Sequence, residues 1–93
     1  MTKQAIISIK GSVQGIFFRS EAREKARAFG LAGWVKNEAD GSVTACAQGP
    51  SDPLEQFIRW CRQGPPGAKV EKINVNYTDN PAEKLTGFEI KYF

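Results

Sequence analysis

The chain has 93 residues, with 13 lysines and arginines against 10 aspartates and glutamates, a net charge of +3 at neutral pH. That length suits one domain with one core, and the 41% hydrophobic and 25% charged content is ordinary for a soluble globule. No apolar run reaches the ~18 residues of a membrane span, and histidine is absent, which removes the commonest general base and metal ligand.

The amino-terminal residues, Met1-Thr-Lys-Gln-Ala, lack the apolar core of a secretion signal, so a cytoplasmic protein is expected. The mild positive charge comes without a dense Lys/Arg cluster, so no nucleic-acid footprint is indicated. Cys46 and Cys61 are too few and too far apart for a zinc site.

Residues 4–13 alternate as a strand, with Ile7, Ile9 and Val13 on one face and Ser8 and Lys10 on the other. A helix is predicted from about Ser20 to Phe29. Ser20 would be its N-cap, Glu21 and Glu24 would favour its positive end, and Ala22, Ala26 and Phe29 would form its apolar stripe. Gly30 is a natural stop, with Leu31 the apolar residue after it. Ala32–Asn37 reads as a second strand, Asp40-Gly41 as a hairpin turn, and Ser42–Gln48 as the returning strand, with Val43, Ala45 and Ala47 sharing a face. Trp34 and Leu31 read as core or edge packing.

Gly49-Pro50 breaks the sheet, and a second helix begins at Ser51 or Asp52, with Pro53 tolerated in its first turn. Its stripe is Leu54, Phe57, Ile58 and Cys61, at i, i+3, i+4 and i+7. Gly64-Pro-Pro-Gly67 ends it. Val70–Thr78 is the fourth strand, with Ile73, Val75 and Tyr77 inward. Phe88–Phe93 is a short last strand, with Phe88, Ile90 and Tyr92 in phase.

The order is βαββαβ plus a short C-terminal strand, in a single domain over residues 1–93. This is the α+β, ferredoxin-like split-βαβ plan: an antiparallel sheet with two helices on one face. Alternation puts Cys61 in the core stripe and Cys46 on the open face. A sheet would then separate two free thiols, which suits a reducing compartment.

The richest stretch is Gly11-Ser-Val-Gln-Gly-Ile-Phe-Phe-Arg19, which joins the first strand to the first helix. A helix start offers N–H groups with no intrahelical partner, and Gly15 allows close backbone approach or positive φ. Arg19 adds a permanently charged fork, while Phe17 and Phe18 should point apart, one of them into the core. By local chemistry this is either a phosphate-holding junction or a structural turn. Asn37 likewise reads either as a site residue or as a turn residue ahead of Asp40-Gly41.

Together these segments resemble the acylphosphatase family. The carriers are Gly11–Arg19, Gly30–Val43 with its Gly-Leu-x-Gly-Trp-Val-x-Asn-x-x-Asp-Gly-x-Val pattern, Gln48-Gly49-Pro50 and Gly64–Val70. The resemblance implies hydrolysis of the carboxyl-phosphate anhydride of small acyl phosphates to carboxylate and inorganic phosphate. It implies no metal, cofactor or covalent phosphoenzyme. Val13, Gln14, Gly15, Ile16 and Phe17 would wrap the phosphate with their amides, Arg19 would bind its oxygens, and Asn37 would position the attacking water. Phosphate or sulfate would be a product-like ligand, and the protein would act as a monomer without nucleic-acid or membrane partners.

Glu38 stands where a small neutral residue would crowd a phosphate less. Ile16 in place of valine conserves shape. The rival reading keeps the fold but makes it a non-catalytic phosphate- or carbamoyl-phosphate-binding, or regulatory, module. An RNA-binding reading fits poorly, since the open-face positions Ser8, Lys10, Thr44 and Cys46 include no aromatic residue.

Overall fold

The computed structural model describes residues 2–15 and 17–92. Seven elements follow in order: β1 (Lys3–Ser12), α1 (Phe18–Ala28), β2 (Ala32–Asn37), β3 (Val43–Gly49), α2 (Ser51–Gln63), β4 (Lys69–Asp79) and β5 (Phe88–Lys91). The sheet order is β4-β1-β3-β2-β5. β3 runs antiparallel to both β1 and β2, and β1 antiparallel to β4. Each βαβ unit therefore leaves a slot that a strand of the other fills. This is the expected split plan.

The alternating strands and striped helices meet on one side of the sheet. Ala5, Ile7, Ile9, Val13, Val35, Val43, Ala45 and Ala47 are buried there against Ala22 and Ala26 of α1 and Leu54, Phe57, Ile58 and Cys61 of α2. α1 lies over β2 and β5, and α2 over β1, β3 and β4. Burying each large apolar side chain contributes roughly 1.5–3 kcal/mol.

The last strand changes the sheet's character. β5 pairs parallel to β2, through Gly33 with Phe88 and Val35 with Ile90, so the sheet is mixed. The cause is the path of residues 80–87, which carry the chain from the β4 edge to the opposite edge. Gln48, on the face away from the helices, fastens that path. Its Nε2 donates to the Glu83 carbonyl at 2.8 Å, and its Oε1 accepts from the Leu85 amide at 2.9 Å.

Four local expectations are corrected. α1 begins at Phe18, with Phe17 rather than Ser20 at the cap position. Phe18 is buried and its ring centroid lies 5.4 Å from that of Trp60, so packing draws the first turn into the core. Cys46 does face away from the helices, yet it is buried and not open, and burial pushes its thiol pKa up. Tyr77 faces the helix side in the expected phase, opposite Ala5, yet it is half exposed because it stands on the edge strand, where its hydroxyl donates to the Glu55 carboxylate of α2 at 2.8 Å. Trp34 is half-buried on the face away from the core, with the ammonium groups of Lys36 and Lys91 5.7 and 5.3 Å from its ring centroid.

Phe88 fastens the added strand. Its ring meets Phe57 edge-on at 5.8 Å, and its carbonyl accepts from Arg27 Nη2 at 3.1 Å. Phe88→Ala is expected to lower stability by about 3–5 kcal/mol, the cost of a cavity left by a buried ring, read from the urea unfolding midpoint.

Candidate active site

β1 and β2 point the same way with β3 between them, so their C-terminal ends emerge together, about 10 Å apart by two strand spacings. The segment after β1 and the hairpin after β2 flank a cleft there. It has a volume of about 250 Å³ and is lined by Val13, Gly15, Phe17, Phe18, Arg19, Ser20, Asn37, Ile90 and Tyr92. Arg19 and Asn37, far apart in the chain, thus share one cavity.

The loop's shape depends on two glycines. At Gly11 the β1–β4 register shifts, φ is +135°, and a Cβ would overlap the Lys69 carbonyl. At Gly15 φ is +77° beside open space, so the backbone turns there without a side chain over the cleft. Val13 is fully buried and anchors the loop from below. Ile16 lies outside the described residues.

The start of α1 supplies the electrostatics. Its first backbone bond runs from the Glu21 amide to the Phe17 carbonyl at 2.9 Å. The amides of Phe18, Arg19 and Ser20 precede that bond and have no intrahelical acceptor, and no side chain among the described residues caps them. All three residues line the cleft, at the positive end of the helix dipole. Arg19 is half-buried, and its guanidinium carbon lies 5.1 Å from the Tyr92 ring centroid, within cation–π range.

Asn37 is the last residue of β2, half-buried and paired with Val43. The turn beyond it is tightly fastened. Asp40 Oδ1 accepts from the Ser42 amide at 2.9 Å and from the Ser42 hydroxyl at 2.6 Å, which holds the Asp40 carboxyl below the usual carboxylate range. Asp40-Gly41 is therefore hairpin chemistry, as its sequence suggests. The Glu38 carboxylate lies 3.8 Å from the Lys36 ammonium, which offsets its charge near the cleft.

Sequence reading missed the part played by the Gln14 side chain. Its Nε2 donates to the carbonyls of Glu38 and Ser42, both at 2.9 Å, so it ties the loop after β1 to the hairpin after β2. Only the spacing between two non-neighbouring strands explains the need for so long an amide. Tyr92 was also missed as a cleft residue, because its place there follows from the parallel docking of β5. Among the described residues no group of three His, Cys, Asp or Glu side chains could hold a metal ion.

The fold and cleft together define a ferredoxin-like sandwich with an uncapped helix start and an arginine at one end of its sheet. The acylphosphatase family model matches residues 5–90. A curated acylphosphatase of Pelotomaculum thermopropionicum is 40% identical over 89 residues, 96% of each chain. One of Gloeobacter violaceus is 46% identical over 87 residues, 94% of this chain and 91% of that one. The crystal structure of acylphosphatase from Bacillus subtilis superposes with a TM-score of 0.91 at 38% identity, over 99% of this chain and 100% of that one. The chain belongs to the acylphosphatase family.

Gln14→Ala is expected to cost about 1–3 kcal/mol in denaturant unfolding, two hydrogen bonds at about 0.5–1.5 kcal/mol each. Calorimetric titration with inorganic phosphate should show weaker binding as well, because the loop loses its tie to the hairpin.

Proposed function

We propose that the cleft hydrolyses acyl phosphates by direct attack of a positioned water, with Arg19 and the loop amides holding the phosphoryl group and Asn37 holding the water. The protein is an acylphosphatase, a hydrolase, and the family acts on small acyl phosphates. The observation that carries the division of labour is the meeting of Arg19 and Asn37 in one cavity beside the uncapped start of α1.

In this scheme the amides of Val13, Gln14, Gly15, Ile16 and Phe17 wrap the phosphate, and Arg19 spans two of its oxygens with parallel hydrogen bonds. The Asn37 carboxamide both donates and accepts, so it can hold a water in line with the departing carboxylate without serving as a base. A carboxylate is a good leaving group and needs little protonation. The chemistry then reduces to positioning and to stabilising charge on the phosphoryl oxygens, which a chain without histidine can supply. The water's proton passes to a phosphate oxygen of the substrate. No metal or phosphoenzyme enters.

We also place the enzyme in the cytoplasm, as a monomer. Cys46 and Cys61 are both free and buried. No helix among the described residues is long and apolar enough to cross a membrane.

Phosphate release from acetyl phosphate, assayed with a chelator present, tests the scheme. Arg19→Ala should lower kcat/KM by about 100- to 1,000-fold, the scale of losing a charged transition-state contact, and should weaken inhibition by inorganic phosphate. Asn37→Ala should lower kcat by about 100-fold and leave phosphate inhibition nearly intact. Normal kcat in that variant would remove Asn37 from the mechanism. A wild-type protein that bound phosphate and released none from acetyl phosphate would be a binding module instead.

A further inference from the structure

The face of the sheet away from the helices supplies no residue to the cleft lining. Ala5, Ile7 and Ile9 are buried against the helices, so alternation turns Ile6, Ser8 and Lys10 of β1 to this other face. Strand pairing lays out the rest in rows. One row runs Asn76, Ile6, Cys46, Trp34 and Glu89, and the next runs Asn74, Ser8, Thr44, Lys36 and Lys91. Lys10 and Lys72 stand opposite each other beyond the second row. Lysines from four different strands thus meet on one surface, although they are scattered along the chain and form no cluster in it.

These side chains are within reach of solvent. Ile6 is 38% exposed, Lys10 and Lys72 are exposed, and Ser8, Thr44 and Trp34 are half-buried. The Lys36 and Lys91 ammonium groups lie 5.7 and 5.3 Å from the Trp34 ring centroid, and Lys36 also lies 3.8 Å from the Glu38 carboxylate. The lysines form a border from Lys72 and Lys10 across to Lys36 and Lys91, about 14 Å from β1 to β5 by three strand spacings. The acidic groups stand singly at the margins: Glu38 beside Lys36, Glu89 at the end of the Trp34 row, and Glu83 beside Cys46.

A flat surface that sets an aromatic ring among cations and hydroxyl groups suits a polymer of alternating phosphates and planar bases. An acidic peptide would meet the lysines but leave Trp34 without a stacking partner. We propose that this face binds single-stranded nucleic acid, with a base stacked on Trp34 and the flanking phosphates on Lys10, Lys36 and Lys91. On binding, the two ammonium groups exchange the indole ring for phosphate oxygens. Trp34 is the aromatic residue that Ser8, Lys10, Thr44 and Cys46 do not provide. Phosphate contacts carry no sequence information, so binding is sequence-tolerant and salt-dependent.

Fluorescence anisotropy of a labelled oligothymidylate of about ten nucleotides, with the full chain at low salt, tests the surface. Binding should weaken as salt rises, and the slope of log Kd against log salt should fall by about 0.7 in Lys10→Gln and in Lys91→Gln. Trp34→Ala should weaken binding by about tenfold, and Trp34→Phe, which keeps a ring, by less. An abasic oligomer of the same length keeps the phosphates and loses the bases, so it should bind wild type about as weakly as oligothymidylate binds Trp34→Ala. Arg19→Ala, or inorganic phosphate at constant ionic strength, should leave the affinity unchanged, because both act at the cleft. A wild type that does not bind overturns the proposal, as do wild-type affinities in both Trp34→Ala and Lys91→Gln. Equal affinity for the abasic oligomer removes the stacking and with it the proposal. Loss of binding in Arg19→Ala or with phosphate would put the oligonucleotide in the cleft instead.

Discussion

Because β3 inserts between β1 and β2, the loop that precedes α1 and the hairpin that follows β2 share one end of the sheet without being sheet neighbours. Strand pairing by itself leaves the distance between them to side chains. Gln14 closes it with two hydrogen bonds to hairpin carbonyls, and Asp40 stiffens the hairpin from its far side through Ser42. The loop and the Asn37 amide, proposed to hold the phosphoryl group and the water, are thereby set in one frame, and a reaction that depends on positioning requires such a frame.

The same frame explains where the molecule tolerates unfavourable local structure. α1 starts without a side-chain cap, and Phe17 is held in a left-handed conformation with most of its surface in solvent. Each costs a little stability, and both sit on the cleft. The compensation lies directly beneath: Val13 and Phe18 are buried on either side of the loop, and Phe18 packs on Trp60 of the neighbouring helix. Strain at a binding loop supported by a packed core is the usual division between function and stability.

Much of the architecture is legible in the residues. The stripe Leu54, Phe57, Ile58, Cys61 is buried in full, β2 spans Ala32–Asn37 as its alternation indicates, and Gly30 and Gly64 follow their helices. These features are local, and period and turn chemistry report them directly. The errors share a physical cause. The cap at Ser20, the open position of Cys46 and the burial of Tyr77 all depended on what packs from elsewhere in the chain: Phe18 against Trp60, burial around Cys46, and an edge strand that leaves the correctly facing Tyr77 half exposed.

By itself the sequence determined the order and type of the elements, the divergence of Phe17 and Phe18, and the family motif that contains Arg19 and Asn37. Such properties follow from short-range periodicity and backbone chemistry. Tertiary structure alone decided the parallel docking of β5, the arrival of Tyr92 at the cleft and the use of Gln14 as a tie between loop and hairpin. All three depend on which strands are not neighbours, and distance across a sheet has no signal along the chain.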